Sequence, residues 1–407
     1  MDRAVPTLVA ALLVLSSVGA VAGVVPSGDD GSRATGTVDG VSANTSDVLV
    51  LDSVVRSAFA RADLVMTGAI DAGSTSLVAA HRRYRIREAF AAAERPAAER
   101  AVIENATAAA ERRADALAAT ERAARQATIR GELSPEAYLS TLGRLHAKAS
   151  ALEKTVEAIG SLDEYGVASD RRAQILAQLS TLQGPIRADL AAAVRGEGPS
   201  GRTFLAVSRN GFTLSRIVDG QYWRETVRFD HRDHAIGRLD FDDAEAQFAR
   251  AYPWTSAHKQ RISMGALGAD VYVVEYTHTH GTIDASLDAS TGAIFREVQT
   301  KSLGKFPVEV RTWSTDGLTV GISATYPGGP LRVNVTNRTG APAVAKVAIN
   351  GTAVGSTGDD GLIWTISPVG PYPVTVTTAN ATLQVTVDPR WTAGHAGTAR
   401  PANETFR

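Results

Sequence analysis

The sequence predicts a multi-domain α + β protein with an N-terminal antiparallel helical hairpin or bundle, a central α+β antiparallel sheet and a C-terminal β-sandwich. Three observations lead to this prediction. Residues 68–198 are rich in Ala, Arg, Glu and Leu and have helical periodicity. Residues 199–236 alternate apolar and polar side chains around hairpin turns, and residues 240–300 have the pattern of a helix followed by strands. Residues 305–390 contain short β-like segments separated by Gly, Pro, Asn or Asp. A chain of 407 residues has room for two to four such domains.

The overall composition excludes several classes of protein. The 42 basic and 43 acidic residues nearly cancel, whereas a protein that binds nucleic acid usually has a basic surplus. The chain has no cysteine, which excludes disulfides, thiol catalysis, iron–sulfur clusters and Cys-ligated zinc. We therefore expect no nucleic-acid partner, and we expect core burial to hold each domain together.

The first segment, residues 1–25, has the features of an export signal. The apolar run Thr7–Val25 follows a short, weakly positive start, and Ala20 and Ala22 form the A-x-A pattern that signal peptidase requires. The run is also close to the ~20 residues that span a membrane, so a retained N-terminal anchor is the alternative to a cleaved signal peptide. Residues 26–46, rich in Gly, Ser, Asp and Thr, are predicted to form a flexible linker.

The predicted helical domain covers residues 47–198. Its central helix begins at Ser134 and Pro135, because Ser is a good N-cap and Pro fits the first helical position. Apolar residues then recur at alternating intervals of four and three, which predicts a heptad seam. The residues of this seam are Tyr138, Leu142, Leu145, Ala149, Leu152, Val156 and Ile159.

The preceding helix, at about 97–130, has small or apolar residues at intervals of seven and ends at Gly131. These residues are Ile103, Ala110, Leu117 and Ala124. Two long helices joined by a short turn run antiparallel, which predicts a coiled-coil hairpin about 45 Å long. A third helix, at about 170–196, is expected to kink or restart at Pro185. Either the helices form a self-contained bundle, or the hairpin protrudes as an arm that docks a partner.

Residues 199–303 are predicted to form the central α+β domain. The N-G and D-G pairs at 210–211 and 219–220 are favoured hairpin turns, and they predict three antiparallel strands. A short amphipathic helix capped by Asp240 or Asp242 comes next, followed by strands around a His-Gly turn.

This helix-and-strand arrangement resembles a PepSY-type repeat, whose last strand carries a D-A-x-T-G-x-[VIL] turn. The matching residues are Asp288, Ala289, Thr291, Gly292 and Ile294. The resemblance covers about sixty residues. Since PepSY domains occur in peptidase propeptides, it implies a regulator or inhibitor of a secreted peptidase. The same residues also make a good turn in any β-protein.

Residues 304–390 contain seven short predicted strands, which is typical of an immunoglobulin-like β-sandwich. The spacing of Gly, Pro, Asn and Asp also resembles the carboxypeptidase regulatory-like and transthyretin-like sandwiches, which are accessory modules. The matching residues are Gly340, Pro342, Asn350, Gly351, Thr357, Asp360, Gly361, Pro368, Gly370 and Tyr372. Residues 391–407 are predicted to be a disordered tail.

As a whole, the chain resembles uncharacterised exported proteins of halophilic archaea. The resemblance is carried by the signal segment, the NTSDVLVL motif, the Arg/Ala-rich block ending LSTLQGPIRADLAAAVRG and the final sandwich. The excess of arginine over six lysines fits a high-GC genome, although the near-neutral charge departs from the strongly acidic composition usual in such proteins. The resemblance implies a location and an architecture, and no activity.

Seven of the eight asparagines lie in N-x-[ST] sequons, which is far more than chance predicts and suits an exported glycoprotein. The predicted glycosylation sites are Asn44, Asn105, Asn334, Asn337, Asn350, Asn380 and Asn403. A second interpretation is that N-x-T is favoured in β-rich turns.

Histidines provide the only metal-ligand pattern. His278 and His280 in YTHTH stand two residues apart, so on a strand they point the same way and could bind one ion. His231 and His234 in FDHRDH could join them if the two segments meet, with Asp230 and Asp233 as further ligands. The candidate ligands are His231, His234, His278 and His280. Unless the two segments converge, these residues are polar strand ends that face water.

A basic cluster, HRRYRIRE at His81–Glu88, is predicted to be either a solvated helical face or a contact for anionic lipid or polysaccharide. Since the chain has no recognised catalytic motif, we expect no enzymatic activity and no cofactor.

The sequence predicts an exported protein of the cell surface, secreted or anchored at its N-terminus, with a structural or protein-interaction role. Its expected partners are other cell-envelope proteins or a secreted peptidase. The alternatives are a regulator of a secreted peptidase and a metal-dependent hydrolase built on the four histidines.

Overall fold

The structure of the chain is a computed structural model. The residues that it describes are 37–39, 46–62, 66–233, 239–268, 270–306, 310–315 and 317–389. The predicted signal segment, the C-terminal tail, Asn44, His234 and Asn403 lie outside these residues.

Two strands precede the helices in the described part of the chain, β1 (Thr37–Asp39) and β2 (Arg56–Ala60). The helices that follow are α1 (Met66–Ala91), α2 (Pro96–Arg130), α3 (Pro135–Gly160), α4 (Ser169–Ser180) and α5 (Pro185–Arg195).

The helix ends follow local sequence signals. The Ser134 hydroxyl accepts a hydrogen bond from the Ala137 amide at 3.2 Å, which confirms the predicted start of α3. Gly131 has a φ of 81° and ends α2, a conformation that costs glycine little. Pro185 begins α5 after a break, so the predicted third helix is two helices, α4 and α5.

The predicted seam of α3 is buried along its whole length. On α2, Ile103 and Ala110 are buried, whereas Leu117 and Ala124 are only partly covered. Helices α3 and α5 also pack against the central sheet, where Tyr138 joins the same apolar cluster as sheet residues. The hairpin is therefore part of a packed bundle.

The central part is an eight-stranded antiparallel sheet with strand order β2-β3-β4-β5-β9-β8-β7-β6. Its strands after β2 are β3 (Thr203–Val207), β4 (Gly211–Val218), β5 (Gln221–Arg228), β6 (Lys259–Leu267), β7 (Val271–His278), β8 (Gly281–Asp288) and β9 (Ile294–Ser302). Two helices, α6 (Phe241–Ala251) and α7 (Pro253–His258), lie between β5 and β6.

The strands β3 to β5 and the helix α6 agree with the sequence prediction. The hairpin turn at 219–220 has positive φ at both residues, as a type I′ turn requires, and Asp240 caps α6 by accepting a hydrogen bond from the Asp243 amide. The structure adds β2, α7 and β6 to the predicted elements. Residues 47–60, which fall in the predicted helical domain, belong to the central sheet by their packing and pairing.

The C-terminal part is a two-sheet β-sandwich, as predicted. One sheet has the order β10-β11-β12-β15, with strands β10 (Arg311–Thr315), β11 (Leu318–Ala324), β12 (Pro330–Asn337) and β15 (Leu362–Ile366). The other has the order β1-β17-β16-β13-β14, with strands β13 (Lys346–Ile349), β14 (Thr352–Ser356), β16 (Tyr372–Thr377) and β17 (Thr382–Asp388). Strand β1, inside the predicted linker 26–46, pairs in parallel with β17.

The central sheet has both of its faces covered. The bundle packs on one face through the cluster that includes Ile186, Leu190 and Val227. On the other face, Ile366 of the sandwich shares a cluster with Phe204. Among the described residues, no helix has the length and apolar character needed to span a membrane.

Candidate functional site

The structure places His231 far from His278 and His280. The Nδ1 atom of His231 is 2.6 Å from the carbonyl oxygen of Ile294, where β9 begins. His278 ends β7, and the His280 carbonyl accepts a hydrogen bond from the amide of Ser302, where β9 ends. Because β9 has nine residues, the two sites lie about 25 Å apart at ~3.3 Å per residue. The described residues contain no group of three or more His, Asp or Glu that could hold a metal ion.

The acidic residues near His231 form ion pairs. Asp230 lies 2.6 Å from an arginine nitrogen of Arg228. The Arg232 side chain, 4% exposed, bridges Asp270 and Asp288 at 2.9 Å each. Asp288 also accepts hydrogen bonds from two amides of its own turn. The turn residues that carried the PepSY resemblance thus have a clear structural role.

His278 and His280 belong to an aromatic cluster around Trp254. The Trp254 ring lies between His258 and His280, with ring centroids 4.3 and 5.0 Å away. His278 contacts it edge-on and accepts a hydrogen bond from the His280 amide at its Nδ1. Burial, together with the nearby charge of Lys301, lowers the pKa of His278 to about 3. The imidazole is therefore neutral at physiological pH.

An extended segment, residues 46–51, crosses the sheet face opposite the bundle, and we call it the N-terminal strap. Side chains of β5 and β9, rather than a paired strand, hold its backbone. The Leu49 amide donates to Glu297 at 2.6 Å, and the Leu49 carbonyl accepts from Arg224 at 2.7 Å. The Val50 carbonyl accepts from Arg228 at 2.9 Å. The strap therefore lies in a groove lined by buried charges.

The charged residues under the strap satisfy one another. Arg224 and Glu297 are 1% and 0% exposed, and they form an ion pair of 2.9 Å. Glu297 also accepts a hydrogen bond from the Tyr252 hydroxyl at 2.8 Å. A buried ion pair with this many hydrogen bonds offsets most of its desolvation cost, but losing one partner leaves a buried charge unpaired.

Lys301 extends this network to the sandwich. Its ammonium group is fully buried and lies 3.1 Å from the Tyr326 hydroxyl and 3.4 Å from the Ser46 carbonyl. Burial lowers the pKa of Lys301 to about 7, whereas burial raises the pKa of Asp47 to about 6. Asp47 in turn accepts a hydrogen bond from the Trp254 amide at 3.0 Å. We call the strap together with Arg224, Glu297 and Lys301 the buried junction.

A second buried ion pair joins the bundle to the opposite face of the sheet. Arg187, in the first turn of α5, lies 2.8 Å from Glu225 of β5, and both side chains are almost fully buried. Glu225 also accepts hydrogen bonds from the Ile186 and Arg187 amides, so it caps α5 from the sheet. Neighbouring residues on β5, Arg224 and Glu225, therefore anchor the two faces of the sheet.

The predicted glycosylation sites lie at different depths. Asn105, Asn337, Asn350 and Asn380 are exposed, and Asn334 is half-buried. Asn350 has a φ of 51° in the turn between β13 and β14, which also explains an N-G pair at this position. Glycosylation remains a prediction at all of these sites.

Comparisons with known proteins agree with the three structural parts. Three domain-family models match this chain. A domain of unknown function, DUF7096, matches residues 1–198, and a family of unknown function, DUF7094, matches residues 204–307. The archaeal fibronectin-III type-like domain matches residues 309–385. Among curated proteins, no sequence matches the chain.

These matches support the broader part of the predicted resemblance, namely uncharacterised archaeal domains followed by an immunoglobulin-like fold. The DUF7096 match contains the strap and β2, yet both pack against strands of the DUF7094 match. The fibronectin-like match begins at 309 and covers all of the strands β10 to β16. The regions matched by DUF7096 and DUF7094 therefore pack against each other.

Proposed function

We propose that this is an exported protein of the cell surface or cell envelope with a structural or protein-interaction role. The observation that supports this proposal is the buried junction. Its charged side chains bind the strap and one another, and Lys301 adds a link to the sandwich through Tyr326. Such an arrangement holds a tandem of domains in a fixed geometry, which is what a scaffold or adaptor requires. The fibronectin-like match is compatible with this location, because related sandwiches occur in many cell-surface proteins.

Fractionation of the native host tests this proposal. We expect the protein in the membrane or extracellular fraction, with an intact mass that distinguishes cleavage after Ala22 from a retained segment 1–25. Mass beyond the polypeptide would count the glycans, and Asn→Gln variants at 337, 350 and 380 would assign them. An intact, unmodified chain found only in the cytoplasm would contradict the proposal.

Protein from the same preparation also tests the alternative role as a regulator of a secreted peptidase. Here the full chain must be used, because a 199–303 fragment would lack the strap and β2. A regulator would change the proteolysis rate of the host's secreted peptidases in proportion to its concentration, and a scaffold would leave that rate unchanged.

A further inference from the structure

Helix α1 presents an outward face that is both apolar and basic. Leu77 is 76% exposed and Tyr84 is 58% exposed, although both are large hydrophobic residues. Arg85 and Arg87 are exposed beside them. Of the α1 side chains that the structure describes, from 74 onwards, Ala79 alone is fully buried. The helix therefore turns most of its side-chain surface to solvent.

The arginines of α1 have no carboxylate partner in the part of the chain that the structure describes. Within the described part of the chain, Arg82, Arg83, Arg85 and Arg87 form no ion pair, although Glu88 is on the same helix. Two exposed arginines elsewhere have such partners, since Arg130 lies 2.8 Å from Glu132 and Arg171 pairs with Glu111, whereas the exposed Arg250 and Arg261 have none among the described residues. The four α1 arginines thus carry a local positive charge that an external anion would neutralise.

A groove beside α1 has the same mixed character. It has a volume of about 320 Å³ and lies between α1, α2 and α3. Val78, Leu117 and Leu152 contribute apolar surface, and Arg82 and Arg113 lie at the same groove. Burial lowers the pKa of Arg113, and the charges of Arg82 and Arg112 lower it further. The groove therefore adds apolar surface and uncompensated cations to the exposed face.

Exposed apolar side chains interleaved with arginine match the chemistry of an anionic lipid surface. The apolar side chains enter the boundary between headgroups and acyl chains, while the arginines meet the headgroup phosphates. A free phosphate or an acidic polysaccharide would use only the arginines and would leave Leu77 and Tyr84 exposed to water. We propose that the outward face of α1, with the adjoining groove, docks on a membrane that contains anionic lipid. This proposal rests on the envelope location proposed above for access to lipid.

Vesicle binding of the full chain tests this docking. We compare phosphatidylcholine vesicles that contain one-third phosphatidylglycerol with vesicles of phosphatidylcholine alone. The variant Arg85→Glu/Arg87→Glu should bind the anionic vesicles roughly 10–30-fold more weakly than wild type, since each arginine contributes about tenfold or less near such a surface. The control variant Arg250→Glu/Arg261→Glu has the same net charge, with both changes on exposed residues of the central part. It should bind as wild type does.

A separate measurement tests whether the apolar side chains of α1 enter the membrane. Because the chain has no cysteine, Leu77→Cys can carry a single polarity-sensitive fluorophore. Its emission should shift to the blue on anionic vesicles, whereas a label at Val344→Cys, which is 60% exposed in the sandwich, should not shift. All variants share the apolar run Thr7–Val25, so binding through that run cancels in each comparison.

The outcomes separate this proposal from its rivals and from the proposed function. Equal losses in the α1 and control variants, or an unshifted Leu77 label on bound protein, would overturn the docking. Tight binding to an acidic polysaccharide with no preference for anionic vesicles would also overturn it. These results come from purified protein, so they leave the cellular location to the fractionation experiment.

Discussion

Gly184 lies at the contact between the bundle and the sheet, beside Glu225. A Cβ atom added there would lie 2.4 Å from the Glu225 carboxyl carbon. We expect Gly184→Ala to displace Glu225 from the α5 cap and from Arg187, and to lower the free energy of unfolding by about 1–3 kcal/mol. Urea unfolding measures this loss. Gly304→Ala is the matched control, since its Cβ would meet no atom within 4 Å, and equal stabilities of the two variants would contradict the explanation.

His278 should make the stability of the protein depend on pH. Its pKa is about 3 in the folded chain, below the ordinary value of 6.5, because burial disfavours the charged ring. The unfolded chain therefore binds more protons between these values, so the free energy of unfolding falls as the pH drops from 6.5 towards 3. The slope from one such group is at most ~1.4 kcal/mol per pH unit.

Replacing the His278 ring isolates its contribution to the pH dependence of stability. Asp47, whose pKa is raised, contributes in the opposite direction over part of the same pH range. The variant His278→Gln should lose stability less steeply than wild type between pH 6.5 and 4 in thermal scans. His81→Gln, at an exposed site, should leave the wild-type slope unchanged. Parallel pH profiles of the wild type and His278→Gln would show that His278 does not titrate in this way.

The burial of the charged residues on β9 could not be predicted from the sequence. Glu297, Gln299 and Lys301 alternate along β9, a pattern that predicts a solvated sheet face. All three are instead fully buried, because the strap and Tyr326 cover that face from distant parts of the chain. The histidines carried the clearer sequence signal for a site, yet the residues that join the parts are Arg224, Glu297 and Lys301.

At the scale of elements, paired charges hold the backbone of the strap, beside the apolar contacts of its buried side chains. Glu297→Ala would leave the buried Arg224 unpaired and remove the acceptor of the Leu49 amide. We expect a loss of about 3–5 kcal/mol in the free energy of unfolding. The double variant Arg224→Met/Glu297→Leu should lose less than Glu297→Ala alone, because it leaves no unpaired charge. Urea unfolding of the single and double variants measures the coupling, and strictly additive losses would contradict it.

Hydrogen exchange reports on the strap directly. The Leu49 amide, bonded to the Glu297 carboxylate, should be protected in wild type and should exchange faster in Glu297→Ala. The Leu205 amide, inside paired strand β3, provides the internal reference. If both amides accelerate equally, the variant loosens the whole sheet and does not release the strap selectively.

Elements with strong local signals were predictable, and those that depend on partners were not. The Ser134 cap, the Gly131 stop and the D-G turn at 219–220 each appear in the structure as the sequence predicts. Strand β2 was missed because its short segment gains its pairing only from β3, which is far along the chain. Strand β1 was missed for the same reason, since the pairing of Thr37–Asp39 with β17 links the two ends of the chain.

At the scale of the whole molecule, contacts rather than the connecting chain should hold the sandwich to the central sheet. The Tyr222 hydroxyl donates to the Gly328 carbonyl at 2.7 Å, and Lys301 lies 3.1 Å from Tyr326. Ile366 adds apolar contact with the sheet. A sequence-specific protease site placed at residues 307–309 would cut the connection between the two parts.

After cleavage, the two pieces should elute together in size-exclusion chromatography and unfold in one transition, because the contacts across this interface survive the cut. Combining the cut with Tyr222→Phe and Ile366→Ser should lower the urea concentration at which the pieces separate, since this removes the Tyr222 hydrogen bond and places a hydroxyl in the apolar cluster, while the Lys301–Tyr326 contact and the pairing of β1 with β17 still join the pieces. Cleavage with Thr336→Ser, on β12 away from the interface, is the control. Separation of the cleaved wild type without further change would mean that the connecting residues, and not the buried contacts, fix the geometry of the two domains.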